Sequence, residues 1–354
     1  MDLEERFAGG VALTPYQDLV EKCLYYLARE DERQKIAAKG FEIFSRTKQS
    51  EYLGNALNLK YEPTDQEISQ DGSEDGSGDG SRILSQETRK EINKGISEEV
   101  FTEISHESRQ RSLYLDLMQK CLTNTIYQDR PQDIWSGQAY SKKKRARGLD
   151  WPSMAHTMIG SLRMANLREI VEKVLEDDIA GDFIETGTWR GGACIFMRAI
   201  LKDYGVTDRK IWCADSFQGL PVPESNKYPE DAGDTHFTYD QLRVSLQEVQ
   251  DNFRKYDLLD GQVEFLKGWF KDTLPIAPIK SLAVLRLDGD LYQSTMEGFQ
   301  HLYHKLSKGG FVIIDDYGAV PACKKAVHDF RKEKSITDPI NDIDGVGVWW
   351  RKIG

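Results

Sequence analysis

Nowhere in these 354 residues does an apolar run approach the eighteen or so that a membrane-spanning helix needs. The opening stretch, with Asp2, Glu4, Glu5 and Arg6, also lacks the basic-then-apolar order of a secretory signal. Both absences predict a cytoplasmic chain with no membrane partner. Cysteine is scarce: Cys23, Cys121, Cys194, Cys213 and Cys323 are odd in number, scattered and without a CxxC pair, which speaks against a disulfide framework or a zinc site. They are expected as small core residues. Basic residues are outnumbered, 47 Lys and Arg against 58 Asp and Glu, and a net charge of −11 argues against nucleic acid as the main partner. What remains is 39% hydrophobic and 30% charged, enough for a full-sized globular core.

Four regions succeed one another along the chain. Residues 1–60 read as helical, with Tyr16, Leu19, Val20, Cys23, Leu24 and Leu27 on one helix face and a second helix over 32–44. Residues 61–84 read as a flexible linker, because DGSEDGSGDGS cannot bury enough apolar surface to offset chain entropy. Asp71, Ser73, Asp75 and Gly76 imitate the start of a calcium loop, but Arg82 stands where a bidentate Glu is required. Residues 85–149 are a helical lead-in expected to pack on the domain that begins at 150, with Tyr114, Leu117, Met118, Cys121 and Leu122 predicting a helix over about 107–127. The basic run KKKRAR at 142–147 is expected as a solvated loop.

From 150 to 354 short β-branched runs alternate with helical patterns, the signature of a parallel sheet with crossover helices. Strands are predicted at 182–187, 210–217, 263–268, 282–289 and 309–317. The final GVGVWWRK comes too soon after the preceding segment for a helical crossover, so it should pair antiparallel at the end of the sheet.

The turn ETGTWRGG after the first strand has glycines that let a ligand approach the backbone, and Asp215 at the end of the second strand can accept ribose hydroxyls. These two features predict a nucleoside cofactor without separating NAD from S-adenosylmethionine. LRLDGD and VIIDDY bring Asp288, Asp290, Asp315 and Asp316 to the same edge. Four converging carboxylates repel one another unless a hard cation such as Mg²⁺ intervenes. The plain alternative is a set of helix caps or a solvated acidic rim.

FIETGTWRGGACIFMR, WCADSFQGLP, DAGDTHFTYDQLRVSLQEV, LRLDGDLYQST and FVIIDDYGAVPACKKAV resemble the macrocin O-methyltransferase family, from about residue 150 to the end. The resemblance implies a class I, Rossmann-like methyltransferase: α/β, with a mostly parallel seven-stranded sheet, an antiparallel last strand and preceding N-terminal helices. It implies S-adenosylmethionine and Mg²⁺ as cofactors, and a hydroxyl of a sugar or related natural product as acceptor. Asp288, Asp315 and Asp316 would hold the metal and Asp290 would be the general base, with His236 as rival base. Glu185, Thr186, Gly187, Arg190 and Gly191 would hold the methionine part, Asp215 and Ser216 the ribose, and Gly268 and Trp269 the adenine. Phe217 would lie by the base or sulfonium, Thr157, Met158 and Ile159 would close over the cofactor, and Asp288 would touch it as well as the metal. The segment Asp231 to Phe237 is expected as a substrate lid.

Separately, about forty residues beginning LVEKCLYYLARE resemble the C-terminal helical tail of some bacterial glycosyltransferases of the spore-maturation type, without a catalytic motif. Other functions stay in play: an O-methylating domain acting on a carrier-bound polyketide or peptide intermediate, an NAD-dependent oxidoreductase, or a non-catalytic scaffold. GxGxxG is missing, which counts against the oxidoreductase. A homo-oligomer or a carrier protein is a conceivable partner.

Overall fold

The structure is a computed structural model and describes residues 98–133 and 135–354, with side chains from Gln110 onward. The expected helices before residue 60, the linker and its calcium-like start, Cys23 and the glycosyltransferase-like stretch lie outside the described residues.

Seven strands form one sheet in the order β3-β2-β1-β4-β5-β7-β6. They are β1 (Asp182–Thr186), β2 (Ile211–Asp215), β3 (Val263–Lys267), β4 (Leu282–Leu287), β5 (Leu306–Ile314), β6 (Asn341–Asp342) and β7 (Val348–Arg351). The first five pair in parallel, and β7 runs antiparallel to both β5 and β6. The class I methyltransferase architecture is therefore present. One detail differs from the sequence reading: β7 lies beside β5, and the edge belongs to β6. A two-residue strand has no periodicity to read, so it could not be placed in advance.

The sheet is buried on both faces, and side chains alternate between two cores as a strand's period of two requires. Phe183, Ile211, Cys213, Val284 and Ile313 enter one core; Ile184, Trp212, Leu285, Val312 and Ile314 enter the other. The first is covered by α1 (Glu98–Leu122), α3 (Gly160–Glu176), α4 (Gly192–Asp203) and α5 (Leu246–Lys255). The second is covered by the short α6 (Phe270–Thr273), α7 (Tyr292–Leu302) and α8 (Pro321–Glu333), and in it Phe299 and Phe330 stack with centroids 4.4 Å apart. Among the described residues no helix is long and apolar enough to cross a membrane.

The lead-in helix α1 sends Leu115, Met118 and Leu122 into the first core and stops earlier than its periodicity predicts. Thr123 turns its hydroxyl back onto the Gln119 carbonyl, and Asn124 takes φ 48°, which ends the helix. The basic run is also corrected. Lys142–Ala146 forms a short helix, α2, and Arg145 is fully buried rather than solvated. Its guanidinium pairs with Asp129 at 2.7 Å and Asp150 at 2.9 Å and donates to the Thr123 carbonyl. A buried charge persists only with such partners. Asp129 in turn accepts the backbone N–H of Met154 and Ala155, which fixes the segment leading to Thr157.

Candidate active site

The strand order reverses between β1 and β4, and in open α/β sheets the cleft forms beyond the carboxyl ends at such a point. A cleft of about 310 Å³ opens there. It is lined by Thr157, Met158, Ile159, Glu185, Gly187, Asp215, Ser216, Gly268, Trp269, Asp288 and Asp290, all named from sequence. Thr186, Arg190, Gly191, Phe217, Asp315 and Asp316, also named, do not line it. Arg190 folds back over the Trp189 ring and donates to the carbonyls of Pro152 and Ala155. Phe217 is buried against Phe265, and Gly191 opens α4 in a left-handed conformation.

The turn after β1 requires its glycine. Gly187 has φ 83°, and a β-carbon there would lie 1.6 Å from the Asp288 carbonyl oxygen. The ends of β1 and β4 therefore touch backbone to backbone. Asp215 accepts the N–H of Thr188 and of Phe217, both at 2.7 Å, while still facing the cleft. Burial raises its pKa, and those N–H groups oppose the rise.

The register of the sheet gathers the acids. Leu287 pairs with Ile314, so the next residue on each strand, Asp288 and Asp315, leaves the sheet beside the other. Donor oxygens of Asp288, Asp315 and Asp316 lie within 4.8 Å of one another. Asp290 takes φ 57°, unusual for a residue with a β-carbon, and its N–H donates to Asp316 Oδ2 at 3.1 Å.

Arg286 stands at the centre of this group and was not singled out from sequence. It is buried and pairs with Glu185 at 2.9 Å, Asp288 at 2.6 Å and Asp315. Burial alone would lower its pKa, but Asp315, Asp288 and Glu185 outweigh it and keep the guanidinium charged. A lone Arg inside the otherwise apolar strand LAVLRL was the available signal. Arg163 on α3 makes a second pair with Asp315 and one with Asp344 at 3.2 Å.

Two guanidiniums thus pair with four carboxylates, Glu185, Asp288, Asp315 and Asp344, and Asp290 and Asp316 stand beside them, leaving four more negative charges than positive when all are ionised. The excess shows in the carboxyls. Burial and the neighbouring acids push Asp288 and Asp316 well above the usual range. Burial, reinforced by Asp315 and Asp234 and opposed by His236, raises Asp290 to about 6. Glu185 is raised to about 7 by burial, against the pull of Arg286. The chain's own cations do not satisfy these oxygens, and an all-oxygen donor set of this charge fits a hard dication.

His236 lies outside the cleft wall but close enough for its charge to act on Asp290. Its Nδ1 is 2.6 Å from Asp234 Oδ2, and its N–H donates to Asp234 Oδ1. A carboxylate oxygen can only accept, so the hydrogen of this bond sits on Nδ1. The segment expected as a lid is fastened at its start. Asp231 is buried and accepts the N–H of Tyr292 and Gln293, capping α7.

Comparison with known proteins bears on this arrangement. The family model for macrocin O-methyltransferase (TylF) matches residues 111–352. The chain is 53% identical over 244 residues to 8-demethyl-8-(2,3-dimethoxy-alpha-L-rhamnosyl)-tetracenomycin-C 4'-O-methyltransferase of Streptomyces olivaceus, covering 68% of this chain and 93% of that protein. It is 51% identical over 245 residues to mycinamicin III 3''-O-methyltransferase of Micromonospora griseorubida, covering 68% and 96%. Among solved structures it is similar to the O-methyltransferase NovP, with a TM-score of 0.66 and 50% identity over 69% of this chain and all of that one.

Proposed function

The chain belongs to the macrocin O-methyltransferase family and is an S-adenosylmethionine-dependent O-methyltransferase, and from that premise we propose that it methylates a sugar hydroxyl of a glycosylated natural product with Mg²⁺ held by Asp288, Asp315 and Asp316. The observation that carries this reading is the convergence of those three carboxylates at the edge of the cleft beyond β1 and β2, where Asp288 and Asp290 form part of its wall. Relatives named for methylating a rhamnosyl-tetracenomycin and mycinamicin III support the acceptor class.

When bound, the cofactor supplies an electrophilic methyl group and the dication lowers the pKa of an alcohol that would not ionise at neutral pH. The chain's residues do the rest. Glu185 and the Gly187 turn hold the methionine end, Asp215 the ribose, and Gly268 and Trp269 the adenine. Thr157, Met158 and Ile159 cover them and exclude water. Asp290, whose backbone is fixed on Asp316, would take the proton that the acceptor hydroxyl must shed as it receives the methyl group. His236 is the rival for that role.

Turnover on a glycoside acceptor should vanish in EDTA and return with Mg²⁺. Asp315→Asn or Asp316→Asn should raise the Mg²⁺ concentration required, since an amide is a poorer ligand for a hard dication. Asp290→Asn should bind metal nearly as well yet lose about 10²- to 10⁴-fold in the single-turnover rate. Full activity after exhaustive chelation would sink the metal assignment, and a wild-type single-turnover rate in Asp290→Asn would pass the role of base to His236.

A further inference from the structure

Beside the stretch of cleft wall made by Trp189 and Leu242, His236 begins a series of aromatic rings whose other members the methyl transfer itself does not use. His236 lies 5.9 Å from Tyr239, Tyr239 lies 5.4 Å from Trp151, and Trp151 lies 4.7 Å from Trp135, measured between ring centroids. All four pairings, counting Trp135 with Tyr239 at 6.1 Å, are edge-to-face. None of these rings is buried, and Trp135 is 50% exposed. Single apolar side chains on a surface need no explanation, but a connected group of large rings leading out from a reaction centre does.

The rings are held in place by groups that are themselves buried. The carboxylate of Asp133, 8% exposed, accepts the backbone N–H of Trp135 at 3.1 Å, of Ser136 at 2.5 Å and of Trp151 at 2.8 Å, together with the Ser136 hydroxyl. One carboxylate therefore ties together two indoles sixteen positions apart in sequence. On the other side the indole N–H of Trp189 donates to the Gln241 carbonyl and steadies the turn that carries Tyr239. Rings fixed in advance lose little freedom on binding and offer flat, weakly hydrated faces.

We propose that Trp135, Trp151 and Tyr239 form the subsite for the apolar aglycone of the acceptor, outside the sugar position at Asp290. The inference rests on the glycoside reading of the acceptor. It commits to a polycyclic, largely apolar scaffold because the rings supply contact area and stacking faces, and because Tyr239 shares its turn with Gln241 and Leu242, which the cleft-wall residue Trp189 holds and adjoins. A peptide strand would need a row of free backbone donors and acceptors, whereas the backbone N–H groups of Trp135 and Trp151 are already engaged by Asp133.

The test compares two acceptors with the same sugar, methyl α-L-rhamnoside and an anthraquinone α-L-rhamnoside, using the full chain with S-adenosylmethionine and Mg²⁺. The aglycone should lower KM by roughly ten- to a hundredfold with little change in kcat, the effect of a few aromatic contacts. Trp135→Ala and Tyr239→Ala should each bring the KM ratio of the two acceptors to within about threefold of unity. A wild-type ratio near unity, or a ratio unmoved in both variants, would overturn the subsite. Tryptophan fluorescence read with the anthraquinone glycoside alone separates this from the acceptor reading. Saturable quenching that is weakened in Trp135→Leu supports the subsite even if neither sugar is methylated; no quenching overturns it.

Discussion

His156, one residue before the cleft wall, has its pKa lowered to about 4, chiefly by burial, with Lys255 and Arg190 adding repulsion. Its Nδ1 lies 2.7 Å from the Tyr256 hydroxyl. In the unfolded chain it titrates near 6.5. Between about pH 6.5 and pH 4 the unfolded chain thus binds a proton that the folded chain refuses. The stability this group contributes is complete above pH 6.5 and is lost as pH falls through that window, at most about 3 kcal/mol. Urea midpoints at pH 7 and pH 5 should therefore separate in the wild type and draw together in His156→Gln. Equal separations in both would assign the acid sensitivity elsewhere. At this scale the sequence was legible where an acid stands near the end of an apolar strand, since Glu185, Asp215, Asp288, Asp290, Asp315 and Asp316 all lie at or beside the cleft, but Arg286 inside β4 was passed over. Side-chain direction was not legible. Nothing in ETGTWRGG or ADSFQG tells that Arg190 folds back onto Pro152 and Ala155, or that Phe217 turns into the core.

Between β2 and α5 the chain makes three short 3₁₀ turns, and its one buried anchor at the 231–237 segment is Asp231 on the first turn of α7. Asp231→Ala should cost about 1 kcal/mol or somewhat more, the usual loss for a capping side chain. It should also speed proteolysis within residues 231–245, read as the rate at which the intact chain disappears. An unchanged melting temperature together with an unchanged cleavage rate would show that this cap does not fasten the segment. Elements with a clear period were readable in advance, and the first five strands fall within a few residues of their predicted limits. The short helix α2 was not, because its deciding partners, Asp129 and Asp150, meet Arg145 only after folding. Six consecutive mostly basic letters describe a surface unless the carboxylates that bury one of them are already known.

Across the whole molecule, the described residues that line the cleft lie at or after Thr157, and those by which α1 enters the core include Leu115, Met118 and Leu122. A chain shortened to residues 98–354 should therefore bind S-adenosylmethionine with a Kd within about threefold of the full chain. Isothermal titration measures this, and a loss of tenfold or more in a folded protein would bring residues 1–97 into the site. The Gly187 turn and the carbonyl of Asp288 meet so closely that no β-carbon fits between them. A body joined at that point has no hinge between its two halves: thermal displacement of the end of β4 carries the cofactor turn with it. If residues 157–159 cover the cofactor as proposed, admitting a fresh one and releasing the spent one falls to them and to residues 219–245 rather than to the sheet.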